Sequence, residues 1–367
     1  MLEYIFIPVW IGVCGLFSAA SGGKLYKTEK ILDQNVQRMQ VWFAVLAFAP
    51  IIWFAGTRIY IGDTVGYING FLNSPDTFSE IPDYYNQVTK DKAFFVLTAI
   101  LHVLFKDNFT AYLMFIALIQ GISLIEIFRK YSTNYLFSIL LFVLSTDYIS
   151  WMYNGIRQFT AVTLIFGATA LMIKKRYTSV ILVVIFASLF HQSALIMIPL
   201  IFLSYGRAWN KKTIFFILVA LIAVFFVDSF TDILDSSLQD TQYKNVVSDY
   251  TSFNDDGTNP LRVLVYSVPA IISFFCRKYI RESDDKVINF CTNMSIISTG
   301  IYLVSMVTSG IFIGRIPIYC SLYSYILLPW EIRTLFSKQS KQVIYLVAIL
   351  FYILFYYYQM HIGYGLI

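Results

Sequence analysis

The residues best suited to chemistry in this chain are polar groups standing at the ends of apolar runs. Gly56-Thr57-Arg58 leaves one run, and Gly62-Asp63-Thr64-Val65-Gly66-Tyr67 follows at once. Asn154-Gly155-Ile156-Arg157-Gln158 opens another run, and His191-Gln192-Ser193 interrupts a third. Arg315 lies between Gly314 and Ile316-Pro317. Each has a bland explanation. Arg58 and Arg157 can snorkel to headgroups, His191 can satisfy a carbonyl, Asp63 can cap a helix, and Tyr67 can anchor at an interface. Arg315 resists this, because a cation among apolar residues needs a partner or a wet cavity. Three guanidinium groups and an imidazole gathered on one side of a membrane bundle would make an anion pocket. Guanidinium forks match phosphate oxygens in a bidentate way, and a lipid-linked diphosphate carries its charge at that depth.

The elements that must position these groups are membrane helices. The chain has 367 residues, is 58% hydrophobic and only 13% charged, and has a mean hydropathy of +0.66. A soluble domain carries about 25% charged residues. The expectation is an all-α polytopic membrane protein, one integral domain over 1–367. Apolar runs at 4–21, 41–57, 109–127, 134–153, 157–173, 179–191, 193–205, 213–227, 261–276, 287–308, 312–330 and 342–360 suggest a bundle of about 11–13 transmembrane helices. Residues 93–105 are too short to cross and read as a re-entrant or interfacial helix. Residues 179–205 require two short helices hinged near His191. Residues 1–21 lack a basic start and read as a retained span. Cys14, Cys276, Cys291 and Cys320 lie in apolar surroundings without metal-ligand spacing and read as small core residues. The closing Phe355-Tyr356-Tyr357-Tyr358 reads as an interfacial anchor belt.

Charge assigns the sides. Lys24, Lys27, Lys30 and Arg38 outnumber Glu29 and Asp33 between the first two runs. Further basic knots are Lys174-Lys175-Arg176, then Arg207, Lys211 and Lys212, then Arg333, Lys338 and Lys341. Residues 228–260 hold Asp228, Asp232, Asp235, Asp240, Asp249, Asp255 and Asp256 against Lys244 alone. Basic loops stay cytoplasmic, so 58–92 and 228–260 are expected as external loops. Arg58, Asp63, Arg157, His191 and Arg315 then share the outer leaflet. The same topology explains the positive formal charge without nucleic acid.

The missing motifs narrow the chemistry. There is no H-E-x-x-H, no G-x-S-x-G, no P-loop and no His/Asp/Glu cluster with metal spacing. An enzyme lacking these needs an activated substrate, and a polyprenyl-diphosphate sugar carries its own leaving group.

Five segments together resemble the EpsG family of bacterial Wzy-type polysaccharide polymerases. They are Tyr4-x3-Pro8-x-Trp10, the turn from Arg58 through Asp63-Thr64 to Tyr67, Asn154-Gly155-Ile156-Arg157-Gln158, Phe190-His191-Gln192-Ser193-Ala194-Leu195, and Gly314-Arg315 running to Pro329. The likeness extends in order from Tyr4 to Pro329. Gly62-Asp63-Thr64 is one residue shorter than the family's Gly-x-Asp-Thr. Asp91-Lys92-Ala93-Phe94 replaces an acid followed by Gly-Phe, and no role is carried onto Asp91.

The resemblance implies a membrane glycosyltransferase of the bacterial cytoplasmic membrane, with its active site on the outer face. It would polymerise undecaprenyl-diphosphate-linked oligosaccharide repeats into O-antigen, capsule or exopolysaccharide. It implies no metal and no cofactor, with a chain-length regulator and a flippase as partners beside the lipid bilayer. On this reading Arg157 and Arg315 meet the leaving diphosphate and Arg58 assists or holds the acceptor carrier. His191 or Asp63 takes the proton of the attacking hydroxyl, and Tyr67, Gln158 and Ser193 orient sugars. A polysaccharide ligase, a transporter of lipid-linked sugars and an envelope O-acyltransferase are the rival readings.

Overall fold

The computed structural model describes residues 2–32, 34–238 and 256–367. In chain order the elements are α1 (Leu2–Ala20), β1 (Tyr26–Ile31), β2 (Gln34–Met39), α2 (Val41–Thr57), α3 (Thr64–Leu72), α4 (Ile81–Gln87), α5 (Lys92–Phe105), α6 (Phe109–Tyr131), α7 (Tyr135–Leu144), α8 (Ile156–Gly167), α9 (Thr169–Ile173), α10 (Tyr177–Ser188), α11 (Met197–Ser204), α12 (Lys211–Phe225), α13 (Val227–Leu238), α14 (Pro260–Phe275), α15 (Arg277–Ser283), α16 (Lys286–Met306), α17 (Ile318–Ser321), α18 (Ser324–Leu335) and α19 (Ser340–Tyr358). The chain is an all-α polytopic membrane protein, as its apolar runs require, because backbone groups at membrane depth must be bonded within their own segment.

Among the described residues four helices can cross a membrane by length and composition, or up to seven if each bent pair is one span. The expected 11–13 is higher because it counted as crossings the runs at 41–57, 157–173, 179–191 and 193–205, whose helices have only 10–17 residues. A further five apolar helices among the described residues have 10–17 residues. Among them α5, the run at 93–105, has 14 residues. At 1.5 Å per residue it reaches about 21 Å, short of a hydrocarbon core of about 30 Å. The hinge expected near His191 is present, since α10 ends at Ser188 and a 3-10 turn over Gln192–Ile196 precedes α11. The polar stretch 58–92 carries α3 and α4, and 228–260 begins with α13. Asp240, Lys244, Asp249 and Asp255 of that acidic stretch lie outside the described residues.

The basic segment 22–40 is a β-hairpin instead of a plain loop. Its strands pair antiparallel from Tyr26 opposite Met39 to Ile31 opposite Gln34. The hairpin is held to the end of α6 by Arg129. Its Nη1 and Nη2 donate to Glu29 Oε1 and Oε2 at 2.8 and 3.0 Å, and Nη1 also donates to the Met39 carbonyl at 3.0 Å. Arg38 Nε donates to the Lys130 carbonyl at 2.7 Å. The Arg129 guanidinium lowers the Glu29 carboxyl to about 2. A lowered carboxyl stabilises the folded hairpin above its unfolded pKa, near 4.3, and that stabilisation fades as pH falls through about 2. Glu29→Gln is expected to speed amide exchange across 26–39 about fivefold at pH 7, the equivalent of roughly 1 kcal/mol. The excess over wild type should shrink as pH is lowered below about 4.3. Unchanged exchange at pH 7 would deny the ion pair this role.

Contacts cluster into two units, residues 1–195 with 336–367 and residues 196–335. In the first unit α6 packs on α2, α5 and α8. Phe43, Ala44, Ala47, Phe48, Ile51, Ile52, Ala55 and Gly56 repeat at helical spacing and form the buried face of α2. Close approach depends on glycine: a Cβ on Gly56 would lie 2.9 Å from the Met114 Cα, and one on Gly121 would lie 2.6 Å from Ile52 Cδ1. Phe355 and Tyr356 face inward, and the Tyr356 hydroxyl donates to the Tyr4 carbonyl at 2.9 Å and lies 2.7 Å from the Tyr148 hydroxyl. Tyr357 is largely exposed, so the expected anchor belt is partly a core element. In the second unit α16 is the enclosed centre, 83% buried over its apolar window, with α12, α14 and α18 around it.

Candidate functional site

A cavity of about 640 Å³ opens in the first unit. One wall is the turn before α3 and α3 itself, with Gly62, Asp63, Gly66, Tyr67 and Gly70. Lys90, Phe94, Phe95 and Thr98, in α5 and the residues before it, form a second wall, and Tyr112 of α6 and Arg157 of α8 complete the lining.

The turn after α2 is built by Arg58. This side chain is only 6% exposed. Its Nε donates to Thr64 Oγ1 at 3.0 Å and to the Tyr153 carbonyl at 3.2 Å, and Nη1 donates to the Ala55 carbonyl. Its guanidinium carbon stands 5.4 Å from the Tyr153 ring centroid. Arg58 is not among the cavity's lining residues. The turn is fixed from the other side by Asn154, whose Oδ1 accepts from the Asp63 backbone N–H at 2.8 Å. Gly62 has φ +54°, and a Cβ there would run into that same Asn154 oxygen. Glycine is therefore demanded at this position by both backbone and space.

Asn154 can reach the turn because Tyr148–Asn154 is a π-helical turn that ends at Gly155, just before α8. The wider π turn sends the chain into α8 with Arg157 in its first turn. Gln120 of α6 secures this entry, with Nε2 donating to the Ile156 carbonyl at 3.1 Å and to Thr160 Oγ1 at 3.0 Å. Gln158 is buried on α8.

Arg157 meets Asp91. Its Nη1 donates to Asp91 Oδ2 at 2.8 Å, with the Asp91 side chain 5% exposed and that of Arg157 30% exposed. The guanidinium carbon lies 5.6 Å from the Phe95 ring centroid. Asp91 takes a left-handed conformation, φ +53°, as the residue that starts α5. Its Oδ1 also accepts from the Gln192 N–H at 3.4 Å, while Ala93 N–H donates to the Leu189 carbonyl at 2.9 Å. One carboxylate thus ties Arg157 to the His191 turn. Asp91 lies in a polar stretch between Lys90 and Lys92, where an acid looks solvated. Its left-handed backbone and its two long-range partners are visible only once the chain is folded.

Asp63 starts α3 without making a side-chain cap. Among the described residues no hydrogen bond or ion pair involves its carboxylate, which is exposed at the cavity wall. Tyr67 stands one turn on, its ring edge-on to Phe94 at 6.3 Å. His191 Nδ1 is paired with Ser193 Oγ at 2.7 Å, and neither lines the cavity. Arg315 belongs to the second unit, exposed at the end of a 3-10 turn over Ile313–Arg315 whose Ile313 is buried. There Gly310 and Gly314 pack so closely on Gly257 and Thr258 that a Cβ on Gly310 would lie 2.8 Å from the Gly257 carbonyl oxygen. Of the expected site residues, then, Asp63, Tyr67 and Arg157 share one cavity. Lys90, Thr98 and Tyr112 join them without having been singled out by sequence.

The cavity can therefore offer a carboxylate, two cations and aromatic walls to one ligand. The model of the EpsG family matches residues 41–365 of the chain. No curated protein and no solved structure matches it.

Proposed function

The chain belongs to the EpsG family, whose members are Wzy-type polysaccharide polymerases, and on that premise we propose that the cavity in its first unit is where glycan is extended. The substrate is an oligosaccharide repeat linked to undecaprenyl diphosphate, presented at the outer face of the bacterial cytoplasmic membrane. The observation that carries this reading is the meeting of Asp63, Lys90 and Arg157 in one aromatic-walled cavity.

In the proposed reaction a hydroxyl of the acceptor sugar attacks the anomeric carbon of the donor. A new glycosidic C–O bond forms, the bond from that carbon to the diphosphate breaks, and the diphosphate leaves with the electron pair. Asp63 takes the hydroxyl proton, since its carboxylate is uncommitted at the wall, whereas His191 is engaged with Ser193 outside it. Arg157 and Lys90 meet the charge that develops on the leaving diphosphate, the step at which placed cations act most strongly. Tyr67 and Phe94 offer flat faces to sugar rings. Arg58, buried with its Nε and Nη1 donating to internal acceptors, acts as the residue that shapes the turn and not as a ligand for the carrier.

The test is elongation by the purified full-length protein in phosphatidylglycerol-containing nanodiscs, given lipid-linked repeats and EDTA. Longer glycan and released undecaprenyl diphosphate are expected together. Asp63→Asn should lower the rate about a hundredfold or more, within the range for a general base, and His191→Ala should cost far less. Lipid-linked repeats that cross the bilayer without lengthening would overturn the reading, and equal rates in Asp63→Asn and wild type would remove Asp63 from it.

A further inference from the structure

A second charged cavity, of about 490 Å³, lies in the second unit. Its lining is Arg207, Arg277, Lys278, Arg281, Glu282 and Asp284. From this cavity and its surroundings we propose a binding site for the phosphate of an anionic glycerophospholipid headgroup.

The backbone explains why a lipid fits. The apolar helix α14 bends by 74° into α15 at Cys276. The short α15 carries Arg277, Lys278 and Arg281 at the point where the apolar run ends. Phe274, Phe275 and Tyr279 are exposed beside these cations, Phe275 by 76% and Tyr279 by 64%. Aromatic rings next to basic groups are the pattern of a membrane–water interface. An occupant must then be amphipathic, with an anion for the cavity and a tail for the rings.

Arg277 and Arg281 are held in place yet lack counter-ions among the described residues. Arg281 Nε donates to the Ala208 carbonyl at 2.9 Å and Nη2 to the Trp209 carbonyl. Arg277 Nη1 donates to the Phe274 carbonyl at 3.0 Å, and its guanidinium carbon stands 4.6 Å from the Phe274 ring centroid. Trp209, φ +55°, buttresses this edge through its indole N–H, which donates to Ser273 Oγ at 2.9 Å. The two carboxylates pair loosely with the other two cations of the cavity: Glu282 lies 3.9 Å from Lys278 and Asp284 lies 3.8 Å from Arg207. Among the described residues no carboxylate lies within 4.0 Å of Arg277 or Arg281. Their remaining N–H groups point to a phosphate as the missing anion.

The test reads lipid retention and not elongation. The full-length protein is reconstituted in vesicles of equal phosphatidylglycerol and phosphatidylcholine, extracted, and weighed by native mass spectrometry. Wild type is expected to retain phosphatidylglycerol preferentially. Arg277→Gln/Lys278→Gln spares the carbonyl bonds of Arg281 and should lower that preference roughly thirtyfold, the loss expected for two interfacial cations. Lys338→Gln/Lys341→Gln, in another basic segment, should leave it unchanged. Equal retention of both lipids by wild type, undiminished preference in the first variant, or an equal loss in the second would each overturn the proposal. Displacement of phosphatidylglycerol by millimolar inorganic phosphate would overturn the lipid as the source of the anion.

Discussion

Arg157→Ala is expected to lower glycan elongation by about two to three orders of magnitude, the usual cost of removing a group that stabilises charge developing in a transition state. The variant alone is ambiguous. Asp91 is almost wholly buried and pairs with Arg157 at 2.8 Å, so truncating the arginine strands a carboxylate inside the protein. Breaking such a pair costs roughly 3–5 kcal/mol, a large share of a typical folding stability, so lost fold can mimic a catalytic loss. The double variant Arg157→Ala/Asp91→Asn separates the two causes. An asparagine keeps an acceptor for the Gln192 N–H and carries no charge, so folding should recover. Elongation should not recover if Arg157 meets the leaving diphosphate. Thermal melting of the detergent-solubilised protein and elongation in nanodiscs measure the two halves. A double variant that melts like wild type and also elongates like wild type would make the arginine a structural counter-ion and sink the assignment.

The same pair shows how far the sequence could be read. Arg157 was conspicuous because it is a cation opening an apolar run, although snorkelling to headgroups offered a bland explanation for it. Asp91 was not, because an acid flanked by Lys90 and Lys92 in a polar stretch looks solvated. Its burial is created by α5 docking on the turn after α10, through Ala93 N–H and the Leu189 carbonyl, a contact that no local pattern announces. Arg58 was legible as a special residue but its role was not. The same guanidinium that suits phosphate also suits three internal acceptors, and only the fold decides between them. The all-helical membrane class and the hinge near His191 followed directly from apolar run lengths. The hairpin at 26–39 did not, since its strands are mainly polar and it is fastened by Arg129, about a hundred residues away. Tyr356 turned inward for a similar reason, its hydroxyl finding Tyr4 and Tyr148.

Gly70→Leu is expected to cut elongation about a hundredfold without unfolding the protein, the scale on which a small displacement of bound substrate is felt. Gly62, Gly66 and Gly70 recur every four residues and all line the cavity. Gly62 is explained by its left-handed backbone and by Asn154. Gly66 and Gly70 are not explained this way, because a Cβ at either position would meet nothing within 4 Å. Each glycine inside a helix costs about 1 kcal/mol relative to alanine, a penalty that neither packing nor a turn offsets here. An open helix face that lets a sugar ring approach the backbone would account for it. Gly66→Ala and Gly70→Ala should then melt at or above the wild-type temperature while their KM for the lipid-linked repeat rises. Leucine at position 70 should fill the space outright and lower kcat/KM far further. The competing explanation is pairing of small-residue helix faces between copies, which would lower the mass of the solubilised particle along with its activity. Loss of elongation at unchanged particle mass supports the sugar face, and wild-type kinetics in Gly70→Leu would abolish it.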